Sequence, residues 1–80
     1  MEIVISKHAK ERIKRYDLTE ELVKTAIIKP DDVVEGYERT LIAHKLLNKH
    51  LLRVIYTKQG NNVKVITVYP TEKVRYWRKK

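Results

Sequence analysis

The chain reads SKHAKERIKRY from residue 6 to residue 16, and its histidine and arginines are residue types that move protons and hold phosphates. On a helix, Arg12 falls about 40° and Arg15 about −20° from His8, so the three share one narrow stripe. Ala9, Ile13 and Tyr16 lie to one side of that stripe as a core face, while Lys10, Glu11 and Lys14 take the outer face. Cleaving RNA without a metal needs a base for the 2′-hydroxyl proton, an acid for the leaving oxygen and cations for the phosphorane charge. A histidine near its ordinary pKa and arginine forks are suited to those roles. The same spacing also describes a solvated helix face whose histidine bonds only to backbone.

Two further residues join this set. Arg53 interrupts the apolar run LLRVIY, where a charge on a central strand must be paired, with Glu35 or Glu38 for instance, or aimed at a cleft. Tyr69 ends VITVYP at the mouth of the expected sheet, with core packing and a wet hydroxyl as its alternative reading. The terminal TEKVRYWRKK interleaves Tyr76 and Trp77 with Arg75 and Arg78, a pattern suited to base stacking and phosphate contact, and equally to packing on the sheet. His8, His44 and His50 have no metal-ligand spacing, and Gly36 and Gly60 build no phosphate loop, so neither metal nor cofactor is expected.

The charges are strongly asymmetric along the chain. Residues 1–38 hold nine acids against seven Lys/Arg, whereas residues 39–80 hold one acid, Glu72, against eleven. A cationic half of that size points to a polyanion, either nucleic acid or an acidic protein segment. Lack of cysteine excludes disulfides and thiolate chemistry, and no apolar run approaches the roughly 20 residues that cross a bilayer. MEIVIS is followed at once by charge, unlike a signal peptide, so a cytoplasmic protein is expected.

Positioning these residues falls to one domain over residues 1–80, with a basic aromatic tail at 71–80. Glu2–Ile5 reads as a short edge strand or extended lead-in. Ser6 caps a helix from Lys7 to about Tyr16, and Thr19 caps a second one that ends near Ile28 before Pro30. β-branched and aromatic runs then predict strands near Thr40–Leu47, His50–Lys58 and Val63–Tyr69, with a further candidate in Val33–Glu38. Two-residue turns at Asn48-Lys49 and Gly60-Asn61 would set His44 opposite Arg53, Leu41 opposite Tyr56, Tyr56 opposite Val65, Val54 opposite Thr67 and Leu52 opposite Tyr69. The expected product is α+β: a short N-terminal strand and a two-helix hairpin packed on a three- to four-stranded antiparallel sheet.

The order of short strand, S-x-H-A-x-x-R-x-x-R helix, second helix and β meander ending in V-I-T-V-Y-P resembles small uncharacterised domains grouped with the RelE/ParE-like toxin superfamily. The likeness spans nearly the whole chain and rests on Ser6, His8, Ala9, Arg12 and Arg15 with Thr67, Val68 and Tyr69. It implies a RelE-like fold, metal-independent mRNA cleavage, often on the ribosome, and an antitoxin partner that wraps the toxin; ParE-like members act on gyrase. RelE-type enzymes place working residues on the sheet and near the C-terminus, where Arg53, Tyr69, Arg75 and Tyr76 match by location. The expectation is therefore an RNA-binding protein and mRNA endoribonuclease toxin, with His8, Arg12, Arg15, Arg53 and Tyr69 in the site. The alternatives are a non-catalytic nucleic-acid-binding module and an interaction domain for an acidic protein.

Overall fold

Ser6 opens the first helix as its sequence position suggests. Its backbone is extended (φ −62°, ψ 159°) and its hydroxyl accepts the Ala9 N–H at 3.1 Å, satisfying one of the donors that a helix start leaves without an internal partner. The computed structural model describes residues 1–72, in which this helix, α1, spans Lys7–Arg15 and follows strand β1, Ile3–Ile5. Asp17 stops it. With φ +56°, Asp17 takes the left-handed position past the helix end; its N–H reaches the Lys14 carbonyl at 3.2 Å and the Leu18 N–H reaches the Ile13 carbonyl at 2.8 Å. These paired bonds are the Schellman arrangement, here without the usual glycine. Thr19 then caps α2, Glu20–Ile28, by accepting the Leu22 N–H at 3.1 Å, with Glu20 and Glu21 in the first turn at the positive end of the dipole.

Four strands follow: β2 Asp32–Glu35, β3 Leu41–Leu47, β4 His50–Gln59 and β5 Asn62–Glu72. Together with β1 they form one five-stranded sheet in the order β1-β5-β4-β3-β2. The sheet is mixed, which corrects the expectation of a three- to four-stranded antiparallel sheet: β1 runs parallel to β5, pairing Ile3–Ile5 with Val63–Val65. Three residues of strand give little sequence signal of direction, and the helices between β1 and the rest supply the crossover that a parallel neighbour needs.

The predicted turns hold, because Leu47 pairs with His50 and Gln59 with Asn62. Gly60 takes φ +61°, which glycine adopts at no steric cost in a two-residue loop. His44 does face Arg53, Leu41 faces Tyr56 and Tyr56 faces Val65. Beyond that point the expected register fails. A bulge at Ile66 shifts β5 by one residue, so that Val54 meets Val68 and Leu52 meets Pro70. The strand also continues through Pro70 to Glu72. Pro70 is tolerated because that stretch of β5 pairs with β4 on one side and extends past the end of β1.

The bulge decides which residues enter the core. Alternate residues of the sheet, Ala43, Leu52, Val54, Tyr56, Val63, Val65 and Val68, pack with Ala9 and Ile13 of α1 and Val23 and Ala26 of α2. Without the extra residue, Thr67 and Tyr69 would occupy that face in place of Val68. Burial in this core pushes the Tyr56 phenol above its ordinary pKa. Among the described residues no helix is long and apolar enough to cross a membrane.

Candidate functional site

The opposite face of the sheet carries a polar row across four strands. Asp32 on β2 faces His44 on β3, His44 faces Arg53 on β4, and Arg53 faces Tyr69 on β5. Arg53 is 9% exposed and His44 only 2%, so both are held with little access to water and need partners. They find them in each other: Arg53 Nε donates to His44 Nε2 at 3.2 Å, and Arg53 Nη1 donates to Tyr69 Oη at 2.6 Å. The guanidinium also sits 5.5 Å from the Tyr69 ring centroid, within cation–π range. Two of the partners of Arg53 are thus a ring nitrogen and a phenol oxygen.

That assignment fixes the histidine. Accepting at Nε2 places the His44 proton on Nδ1, a buried atom with no hydrogen-bond partner. Burial, and secondarily the Arg53 cation, hold the His44 pKa below its ordinary 6.5, with Asp32 pulling the other way. A neutral imidazole follows at pH 7.

The second cluster lies on α1. His8 Nε2 is 3.1 Å from Thr67 Oγ1 and accepts from Arg12 Nε at 3.4 Å, so the stripe expected from helical spacing forms. His8 and Arg15 are exposed and Arg12 is half-buried. A hollow of about 240 Å³ is lined by His8, Arg12, Arg15 and also Glu11. Glu11 thus brings a carboxylate to the same hollow as His8 and the two arginines.

Thr67 connects the two clusters. It lies opposite Ile55 on β5, two residues before Tyr69 and on the same sheet face, which separates the two by roughly 7 Å along the strand. The bulge at Ile66 puts Thr67 there, and Ser6 ties α1 to the same place, its Oγ donating to the Ile66 carbonyl at 3.0 Å. Beside Arg53 and Tyr69 the sheet opens into a pocket of about 750 Å³ walled by the β2–β3 loop.

Of the expected site residues, Arg53 and Tyr69 touch, and His8 touches Arg12. Arg75, Tyr76, Trp77 and Arg78 lie outside the described residues. The sequence alone does not mark His44, Asp32 or Thr67 for chemistry, although its hairpin register sets His44 against Arg53. Among the described residues no group of three or more His, Cys, Asp or Glu is arranged to hold a metal ion.

A family model described as a domain of unknown function, DUF4258, matches residues 5–70. The chain belongs to this DUF4258 family. No curated protein and no solved structure matches the chain. The matched span of the DUF4258 domain runs from the end of β1 to Pro70, so His8, Arg12, Thr67, Arg53 and Tyr69 all fall inside it and the basic tail falls outside.

Proposed function

We propose that this DUF4258 domain binds RNA and cleaves it with its own side chains, as a RelE-like ribonuclease toxin would. What supports this reading is that Thr67, which meets His8, and Tyr69, which meets Arg53, lie on one face of β5, roughly 7 Å apart along the strand. Arg12 and Arg53 hold the phosphate oxygens, with Arg15 further along the strand of RNA. His8 Nε2 takes the 2′-hydroxyl proton and the freed oxygen attacks phosphorus. The 5′ oxygen leaves with the Tyr69 proton, giving a 2′,3′-cyclic phosphate and a 5′-hydroxyl, and the adjacent Arg53 steadies the phenolate. Eleven cations against one acid in residues 39–80 favour a polyanionic substrate, and an acidic antitoxin segment would compete for the same surface.

The test is incubation of the purified protein, with EDTA, with an mRNA free and on translating ribosomes. Cleavage by the parent, lowered roughly 100-fold or more in His8→Ala and Arg53→Ala, supports the assignment. Intact RNA in both settings, bound in a salt-dependent way, would replace it with a non-catalytic RNA-binding module.

A further inference from the structure

The pocket next to Arg53 has a chemistry of its own. Its floor is apolar, from Ile42 and Ile55; its inner end is Arg53; and its rim is the loop between β2 and β3, carrying Tyr37 and Glu38. Tyr37 is 91% exposed, yet the loop that presents it is closely tied. The Gly36 N–H reaches the Thr40 carbonyl at 2.9 Å, and both the Thr40 N–H (3.0 Å) and its hydroxyl (2.6 Å) reach the Tyr37 carbonyl. Glu38 and Arg39 both sit at positive φ, +52° and +63°, a conformation that is strained for such residues and persists only where the surroundings enforce it. The backbone that carries Tyr37 and Glu38 is thus held in place in a chain that is otherwise strongly cationic.

An occupant complementary to this arrangement has an anionic end for Arg53, a flat ring for the apolar floor and Tyr37, and N–H donors for a carboxylate. We infer that the pocket binds the base of the nucleotide whose phosphate meets Arg53, and that Glu38 selects guanine. This rests on the RNA reading above and adds a base preference to it. The volume lies within the range of ordinary ligand sites. Single-stranded RNA is recognised by splayed bases stacked on aromatic side chains and read at the Watson–Crick edge. Guanine alone presents two adjacent donors there, N1–H and N2–H, matching the two oxygens of one carboxylate. Uracil presents one N–H between two acceptors, and adenine and cytosine present an amino group beside an acceptor that would face the carboxylate's lone pairs.

The experiment is titration of the ¹⁵N-labelled full chain with 3′-GMP, 3′-AMP, 3′-CMP and 3′-UMP, following the backbone amides of residues 35–40. The expected result is that 3′-GMP shifts these amides with an affinity about tenfold or more above 3′-UMP. Glu38→Gln should abolish that preference, and Tyr37→Ala should weaken all four nucleotides by roughly tenfold through lost stacking. The spectrum of each variant reports its folding in the same measurement. Equal binding of the four nucleotides, shifts confined to other amides, or a guanine preference kept by Glu38→Gln would overturn the inference. Binding needs no turnover, so a guanine-selective loop with uncleaved RNA would sink the ribonuclease reading alone. Cleavage with no base preference would sink only the pocket.

Discussion

Arg53 Nη1 donates to Tyr69 Oη over 2.6 Å while its Cζ lies 5.5 Å from the same ring, so one tyrosine meets the guanidinium with both its oxygen and its π face. Tyr69→Phe separates the two contributions, because the ring stays and the acceptor goes. Losing an acceptor from a nearly buried charged donor should cost about 1–3 kcal/mol of stability. Urea denaturation measures this. A midpoint unchanged from the parent would mean that the oxygen contributes nothing to holding Arg53. In the cleavage assay the same variant should lose activity far beyond its loss of fold, since the phenol proton is then missing.

Acidification should loosen the polar row. The folded His44 pKa lies below 6.5, mainly through burial and then through Arg53, so at pH values between the folded and unfolded pKa the unfolded chain binds the extra proton. Stability is then complete above about pH 7 and falls as pH drops through 6.5 toward the folded pKa. Protonation would also convert Nε2 from acceptor to donor and set a second cation against Arg53. His44→Gln supplies an oxygen acceptor that does not titrate. Urea midpoints of parent and variant between pH 7.5 and 5 should diverge, with the variant losing less. Parallel curves would remove His44 as the cause.

Much of this was legible because turns and caps are local. Asn48-Lys49 and Gly60-Asn61 fix their hairpins by residue type, and Ser6 and Thr19 mark helix starts, so the His44–Arg53 pairing and the His8–Arg12 stripe follow from counting. The bulge was not legible. VKVITVYP alternates only as far as the apolar doublet Val65-Ile66, and reading it as regular puts Thr67 and Tyr69 on the helix face; the competing requirement is that Val68 fill the core against α1 while Ser6 bonds the Ile66 carbonyl, a tertiary constraint that no local pattern carries. Tyr37 was hidden for a similar reason, since GYER reads as a generic turn until Thr40 folds back on Tyr37, and Glu38 stood out only as a partner for Arg53.

That loop depends on Gly36. A β-carbon built there would collide with Thr40 Oγ1 and press on Ile42, so Gly36→Ala should destabilise by about 1–3 kcal/mol. Thr40→Ala removes the colliding oxygen along with its bond to the Tyr37 carbonyl. In a double-mutant cycle the second substitution should therefore cost less in the Gly36→Ala background than in the parent. Additive penalties would show that the collision is relieved some other way.

Ser6 is a cap and an anchor at once. Its oxygen accepts from Ala9 N–H at 3.1 Å while its hydroxyl proton goes to the Ile66 carbonyl at 3.0 Å, joining the start of α1 to the residue whose insertion turns Thr67 outward. Ser6→Ala removes both bonds, and Ser6→Gly removes the same oxygen at a cap position that glycine tolerates nearly as well. If capping were the whole role, alanine would cost about 1 kcal/mol and glycine only a few tenths. Because the bond to Ile66 is lost in either variant, both should be destabilised by more than 1 kcal/mol in urea, and the His8 ring resonances should move in both as its contact with Thr67 loosens. Near-parental stability of Ser6→Gly, with His8 unmoved, would reduce Ser6 to an ordinary cap and leave the joining of the two clusters to Thr67 alone.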